Sequence, residues 1–256
     1  MKNKIIIIVS CILAVLLITA VIFYAALGRK LKHSGTFPVS TQGSYPTVFT
    51  YHLISDEVFG DDDYLFVRPS EFEEQLKLLT DRGYSFLFAE EWGIYDGPTV
   101  MITVDDGYND NYTEMFPLLK KYNAKATVFL ITDMIGSEYY LSEEQIKEMS
   151  DSGLVSFQSH TVGHHILPDL SEEDLRAELT NSAKKIESIT GKDVTAISYP
   201  GGEFSYAMLD IVAEYYSFGF TTKYPPVTLM YGEYNIPRYY IARGDGEAGL
   251  EKIIGN

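Results

Sequence analysis

Apolar residues follow two alternating patterns along most of the chain. Short runs of β-branched and aromatic residues predict buried strands, and stretches with an apolar residue every three or four positions predict amphipathic helices. The predicted strands cover residues 49–54, 84–88, 99–104, 126–131, 154–157, 195–199, 218–222 and 238–241. The predicted helices cover residues 70–82, 112–122, 142–151, 171–190 and 206–216. Because strands and helices alternate, we expect an α/β fold with a parallel sheet and right-handed crossovers.

Two serines mark predicted helix starts. Ser70 is followed three residues later by Glu73, which predicts a capping box, and Ser171 is followed by Asp174 at the same spacing. In the first of these helices, three apolar residues predict the buried stripe: Phe72, Leu76 and Leu79.

The first 32 residues have a different pattern. Residues 5–27 are apolar apart from three polar positions, and as a helix they would extend roughly 35 Å, enough to cross a bilayer. We therefore predict an uncleaved, single-pass membrane anchor over residues 1–32. A flexible linker rich in Gly, Ser, Thr and Pro follows over 33–48 and leads to a domain over 49–256.

Two other interpretations of this segment stay open. Small residues at Ala25 and Ala26 are a candidate cleavage site for a signal peptide. Cys11 follows a sequence that resembles a bacterial lipoprotein signal, although the apolar run before it is short. Cys11 is the only cysteine, so no disulfide can form within the domain.

The charge balance is strongly acidic. The chain has 20 basic and 36 acidic residues, a net charge of −16, and five of the basic residues lie in the first 32 positions. This excess of negative charge repels phosphate groups and argues against a nucleic-acid partner. Three clustered acids at Asp61-Asp62-Asp63 are better explained as a solvated loop than as a calcium site, because no further spaced ligands follow.

Candidate chemistry lies at the ends of two predicted strands. The strand at 99–104 ends in Asp105 and Asp106, and two adjacent carboxylates repel each other unless a cation or a proton lies between them. His160 and His164 follow the strand at 154–157 with the i, i+4 spacing of one helical turn. One carboxylate and two imidazoles form a common catalytic zinc site with an open position for water.

These residues resemble the polysaccharide deacetylases of carbohydrate esterase family four, and most closely the branch that includes the biofilm poly-N-acetylglucosamine deacetylases. The resemblance covers residues 49–243 and rests on the order and spacing of five segments: Tyr51-His-Leu-Ile54, Val104-Asp-Asp-Gly-Tyr-Asn-Asp-Asn-Tyr112, Phe116-Pro-Leu-Leu-Lys-Lys-Tyr122, Ala126-Thr-Val-Phe-Leu130 and the two-histidine segment. It implies a distorted (β/α) barrel with about seven parallel strands and an extracellular N-acetylated polysaccharide as the substrate.

The resemblance also implies a reaction and a site. Asp105 matches the general base, and Asp106, His160 and His164 match the metal ligands, with His165 as an alternative third ligand. A divalent metal ion, zinc first and otherwise cobalt, nickel or manganese, would hold the nucleophilic water. The expected reaction is hydrolysis of the N-acetyl group, a linear amide.

Further site residues follow from the segment Ser198-Tyr-Pro-Gly-Gly202, which resembles the family's third motif. The N–H of Gly201 falls where relatives donate to the oxyanion, and Ser198 stands where many relatives have an arginine. Tyr199 and Pro200 are expected to contact the substrate. Arg238 is expected either to bind substrate or to orient Asp105, with a surface ion pair as the third possibility.

The general acid is not assigned by the sequence. The family usually supplies a late histidine, but no histidine follows His165. The candidates are therefore His52, which we also expect to contact substrate, His165, and Asp105 acting first as base and then as acid.

Three functions remain open at this point. The first is a membrane-anchored deacetylase of an N-acetylhexosamine polymer. The second is a glycan-binding protein on the same fold that lacks an efficient general acid, and the third is a metal-dependent esterase or amidase for another acyl group. Intact carboxylates and histidines favour an enzyme over a binding protein.

Overall fold

The structure is a computed structural model that describes residues 44–58, 62–222 and 232–255. The predicted membrane anchor, most of the predicted linker and Asp61 lie outside the described residues. Among the helices that are described, none is long and apolar enough to cross a membrane. The first strand begins at Thr47, and Ser44 already pairs with Tyr95, so ordered structure starts before residue 49.

Strands and helices alternate along the described chain. The strands are β1 (Thr47–Tyr51), β2 (Leu53–Ile54), β3 (Phe66–Val67), β4 (Ser85–Leu87), β5 (Thr99–Asp106), β6 (Ala126–Leu130), β7 (Val155–Ser159), β8 (Ala196–Ser198), β9 (Phe218–Thr221), β10 (Ile236–Pro237) and β11 (Tyr239–Tyr240). The helices are α1 (Pro69–Asp81), α2 (Phe116–Tyr122), α3 (Glu143–Asp151), α4 (Glu172–Thr190), α5 (Tyr206–Val212) and α6 (Gly246–Ile254).

Within the described parts of the chain, nine strands form one sheet that nearly closes into a barrel. Its order is β10-β9-β8-β7-β6-β5-β1-β11, with β4 paired to the first part of β5, and every pairing is parallel. The two end strands are consecutive in the chain and flank Arg238, so one segment pairs with β9 through Ile236 and with β1 through Tyr239. If β10 and β11 count as one strand, seven strands form the ring, which confirms the predicted parallel α/β barrel.

The strand β5 separates two apolar regions. Val100, Ile102 and Val104 pack into the large core between the barrel and its helices, whereas Met101 belongs to a smaller cluster formed by the opposite faces of the strands. Because side chains alternate along a strand, Thr103 and Asp105 lie on the same face as Met101. Asp105 is therefore directed into the barrel, above an apolar floor.

Helix boundaries confirm some of the predicted caps and correct others. The helix α4 has Ser171 as its N-cap, whose hydroxyl accepts the Asp174 N–H at 3.2 Å, as predicted. The predicted cap at Ser70 is wrong: α1 begins at Pro69, and the side chain of Glu71 accepts the Arg68 N–H. Proline suits the first helical position because its φ is already helical and it has no N–H to satisfy.

Two other helices differ in extent from the sequence prediction. The helix predicted over 112–122 is a π-helical turn at Asn111–Met115 followed by α2, and α5 ends at Val212 rather than at residue 216. The stripe predicted on α1 is confirmed, because Phe72, Leu76 and Leu79 are fully buried. Burial of each such side chain stabilises the fold by about 1.5–3 kcal/mol.

Candidate metal centre

The two adjacent carboxylates occupy the end of β5. Asp106 has a φ of +74°, a left-handed conformation that residues other than glycine rarely adopt. Gly107 continues the turn with a φ of +84°, and a Cβ there would lie 2.5 Å from a methyl carbon of Leu130. Because of this turn, the side chains of Asp105 and Asp106 lie in different surroundings.

Asp105 is held by Arg238. Two guanidinium nitrogens of Arg238 donate to the two carboxylate oxygens at 2.8 and 2.7 Å, and they also donate to the hydroxyls of Thr103 and Ser198 at 3.1 and 2.8 Å. All four side chains are buried. Burial alone would raise the pKa of Asp105, but the charge and hydrogen bonds of Arg238 outweigh it and hold the pKa well below its ordinary value.

The two histidines lie on a non-helical loop that follows β7. The predicted helical turn is wrong, because Thr161 and His164 have left-handed φ values of +70° and +58°. The Thr161 hydroxyl accepts the His164 N–H at 3.1 Å and stabilises the bend. The imidazoles nevertheless come together, with 4.8 Å between their ring centroids.

Asp106, His160 and His164 converge as the sequence predicts. One ligand atom from each lies within 4.8 Å of the others, and Oδ1 of Asp106 is 3.4 Å from Nε2 of His160 and 3.8 Å from Nε2 of His164. Two ligands about 2 Å from a tetrahedral ion are separated by about 3.3 Å, and the two distances from Asp106 are close to this value. His165 is directed elsewhere: it is exposed, and its Nε2 lies 3.9 Å from Glu178.

The electrostatics of this set fit a cation. Burial, with the charge of Asp105 added, raises the pKa of Asp106 to about 7. Burial lowers the pKa of His160 to about 4, so the imidazole is neutral at pH 7. Its Nδ1 lies 2.8 Å from the carbonyl oxygen of Ser198, which leaves the Nε2 lone pair directed at Asp106. A divalent ion would compensate the carboxylates and use that lone pair.

His52 and Tyr240 lie beside this centre, at the ends of the paired strands β1 and β11. Burial lowers the pKa of His52 to about 4, and the charges of Asp105, Arg238 and His164 also act on it. The rings of His52 and Tyr240 are 5.4 Å apart. Among the described residues, the buried Nδ1 of His52 and the hydroxyl of Tyr240 have no hydrogen-bond partner. These polar atoms are suited to a bound ligand.

In residues 199–202, which follow β8, the side chains are buried and the exposed residue is a glycine, so only backbone groups are accessible there. Tyr199 is fully buried, and its hydroxyl donates to the Tyr234 carbonyl at 2.8 Å, while Pro200 is also buried. Gly201 is exposed, with a φ of +63°. The expected contact of the Tyr199 and Pro200 side chains with substrate therefore has no support in their positions, whereas the position of Gly201 suits a backbone donor.

Arg238 and several supporting residues could be assigned only from the structure. Full burial of Arg238 excludes the surface ion pair and places it behind Asp105, where it orients the carboxylate. Thr103 had a usable signal, because it precedes Asp105 by two positions on a strand. Glu178, which binds the histidine loop, follows that loop in the sequence on α4, and no local pattern connects it to the histidines.

Comparisons with known proteins agree with this site. The polysaccharide deacetylase family model matches residues 93–217, which include both carboxylates and both histidines but not His52 or Arg238. YxkH of Bacillus subtilis is 35% identical over 205 residues, which are 77% of this chain and 71% of that protein.

Two further relatives carry more specific names. The poly-β-1,6-N-acetyl-D-glucosamine N-deacetylase of Staphylococcus aureus is 30% identical over 196 residues, 69% of this chain and 68% of that enzyme. The crystal structure of BC0361, a polysaccharide deacetylase from Bacillus cereus, matches with a TM-score of 0.77 and 33% identity, covering 83% of this chain and 69% of that one.

Proposed function

The chain belongs to the polysaccharide deacetylase family, and we propose that it is a metal-dependent hydrolase of the N-acetyl groups of an extracellular N-acetylhexosamine polysaccharide. The observation that carries the proposal is the division of roles between two neighbouring carboxylates. Asp105 is paired with Arg238, and Asp106 faces two neutral imidazoles. The name of the Staphylococcus aureus relative supports a β-linked N-acetylglucosamine polymer as the substrate class.

Asp106, His160 and His164 would hold the metal ion, zinc first and otherwise cobalt, nickel or manganese. When bound, the ion supplies a lowered pKa for water and a polarised acetyl carbonyl. A protein site for this chemistry needs a base that stays ionised close to the ion. Asp105 meets that need because Arg238 keeps its pKa low.

Asp105 can both accept and return the proton that the reaction transfers. It takes a proton from the attacking water as oxygen bonds to the acetyl carbon, and it returns the proton to nitrogen as the carbon–nitrogen bond breaks. A carboxyl group with a lowered pKa is a strong acid once protonated, which suits the second step. Acetate and the free amine of the sugar are the products.

His52 is the candidate for contact with the departing nitrogen. With its pKa lowered to about 4, His52 is neutral at pH 7 and offers one N–H donor to the substrate. The alternative acid, His165, is exposed and lies against Glu178. The N–H of Gly201 is the proposed donor to the oxyanion, and such a donor typically contributes about 3–4 kcal/mol to transition-state stabilisation.

The cellular location is also a proposal. The apolar residues 5–27 support a single-pass anchor in the cell membrane, and the proposed extracellular polysaccharide substrate supports a domain outside the cell. Cleavage after this segment would release the domain without changing its chemistry.

The test is acetate release by the full chain, purified in mild detergent, stripped with a chelator and reloaded with zinc or cobalt. Oligomers of β-1,6-linked and β-1,4-linked N-acetylglucosamine and peptidoglycan fragments are compared. Metal-dependent release from one of them is expected. Glycan binding without release would support the binding protein, and release only from O-acetyl or other acyl substrates would support the third function.

A further inference from the structure

Glu178 on α4 packs against the loop that carries both histidines. Its side chain is 13% exposed, and one carboxylate oxygen, Oε2, accepts the N–H groups of Val162 at 2.7 Å and Gly163 at 3.1 Å. These two amides lie between His160 and His164 in the sequence. A single carboxylate oxygen therefore binds the middle of the loop.

The loop needs such support because its backbone is strained. Thr161 and His164 are both left-handed, a backbone conformation that residues other than glycine rarely adopt. The carbonyls of Thr161 and Val162 accept the N–H groups of Thr132 and Asp133 at 3.2 and 3.1 Å. The loop is thus bound through its carbonyls on one side and through its amides by Glu178 on the other.

We propose that Glu178 is a positioning residue that keeps the histidine loop in its metal-binding conformation. Without the carboxylate, the Val162 and Gly163 amides lose their partner and the strained residues can relax, which moves His164 away from Asp106. The negative charge of Glu178 also lies on the side of the loop where His165 approaches it at 3.9 Å. This inference rests on the proposed metal site.

The same helix offers a matched control. Glu187 also uses a side-chain oxygen to accept a backbone N–H, that of Val194 at 3.3 Å, but its partner lies in the loop before β8 and not in the histidine loop. Replacing either glutamate removes one acid and its backbone hydrogen bonding from α4. Only the replacement of Glu178 should weaken metal binding.

The experiment measures zinc affinity by competition with a chromophoric chelator, together with the visible spectrum of the cobalt-loaded protein. Glu178→Ala should weaken zinc binding about 10–100-fold, as for other groups that orient metal ligands. Glu178→Gln, which keeps an acceptor oxygen, should recover most of that loss, and Glu187→Ala should bind zinc like the parent chain. Thermal melting of the metal-free proteins reports any general loss of stability.

Four results would contradict the inference. Parental zinc affinity in Glu178→Ala would overturn it while leaving the proposed function intact. Equal weakening by Glu187→Ala would show a general effect of helix stability. If Glu178→Ala does not fold, Glu178→Asp, one methylene shorter, is measured in its place; intermediate affinity is expected, and parental affinity would overturn the inference. A parent chain that binds no metal would overturn the proposed function as well.

Discussion

The guanidinium of Arg238 forms a bidentate pair with the carboxylate of Asp105, although 133 residues separate them in the chain. Arg238 lies between the two short strands that close the barrel, and Asp105 is the second-last residue of β5. Closure of the barrel and ionisation of the proposed base therefore depend on the same contact.

Replacement of Arg238 by lysine tests this coupling. One ammonium group cannot reproduce two parallel hydrogen bonds, so Asp105 should lose both its orientation and part of its lowered pKa. We expect kcat to fall about 100-fold and the free energy of unfolding to fall by about 1–3 kcal/mol, because lysine keeps the positive charge but leaves buried acceptors without a hydrogen bond. Acetate release and urea unfolding measure the two effects.

The control for that variant is Arg176→Lys. Arg176 also makes a bidentate contact, with Glu214 at 2.7 and 3.1 Å, but on the surface. It should leave kcat and stability unchanged within error. An Arg238→Lys enzyme with parental kcat would show that the bidentate geometry does not matter for catalysis.

Replacement of Asp106 by asparagine should stabilise the metal-free protein, and more so at high pH. The folded pKa of about 7 is higher than the ordinary value near 3.9, so between these values the folded state binds more protons than the unfolded state. Stability of the parent therefore falls as pH rises from 4 to 7. Asparagine does not titrate, so the Asp106→Asn variant should not lose this stability as pH rises. Asparagine also tolerates the left-handed φ at this position.

Urea unfolding with chelator present, at pH 5 and pH 8, measures the effect. The stability advantage of Asp106→Asn should be about 2.7 kcal/mol larger at pH 8, since pH 5 lies about two units below the folded pKa and each unit corresponds to about 1.4 kcal/mol. An equal advantage at both pH values would contradict the assigned environment of Asp106. The variant should also lose zinc binding.

His52 and His165 are expected to differ sharply as mutation sites. His52→Gln removes the imidazole N–H from the substrate side of the centre and should lower kcat about 100-fold without weakening zinc binding. His165→Gln changes an exposed residue and should retain parental kcat. Steady-state acetate release from both variants decides between them, and the reverse ranking would assign the role to His165.

Gly202 follows the proposed oxyanion donor, Gly201, and packs closely against Thr222. It has a φ of +67°, and a Cβ there would lie 2.8 Å from the backbone nitrogen of Thr222. Gly83 has a φ of +74°, and a Cβ there would have no atom of the described residues within 4 Å. Gly83→Ala should lose only about 1 kcal/mol from left-handed strain. Gly202→Ala should lose at least about 3 kcal/mol and most activity, because the turn must move. Equal losses in urea unfolding would contradict this contact.

Local patterns predicted much of this fold and part of its centre. Short stretches of sequence are enough to predict the strands β5, β6 and β7. They also show that Asp105 and Asp106 end β5, which predicts that both acids lie at one end of a parallel barrel. The resemblance supplied the ligand roles, and the structure brings those ligands together.

Other features depend on contacts between distant residues. The burial of Arg238 follows from closure of the barrel and not from its neighbours in sequence. The histidine loop is non-helical because Thr161 and His164 adopt left-handed φ values. The identity of these two residues does not predict that conformation. For the same reason, Glu178 could be connected to that loop only after α4 was packed against it.

The measurement that tests the account most directly compares Asp105→Asn and Asp106→Asn for zinc affinity and acetate release. Asp105→Asn should bind zinc within about threefold of the parent and lose acetate release, because it removes a base and not a ligand. Asp106→Asn should lose zinc binding together with activity. If Asp105→Asn keeps releasing acetate, or if both variants lose zinc equally, the division of roles between these neighbouring carboxylates is wrong.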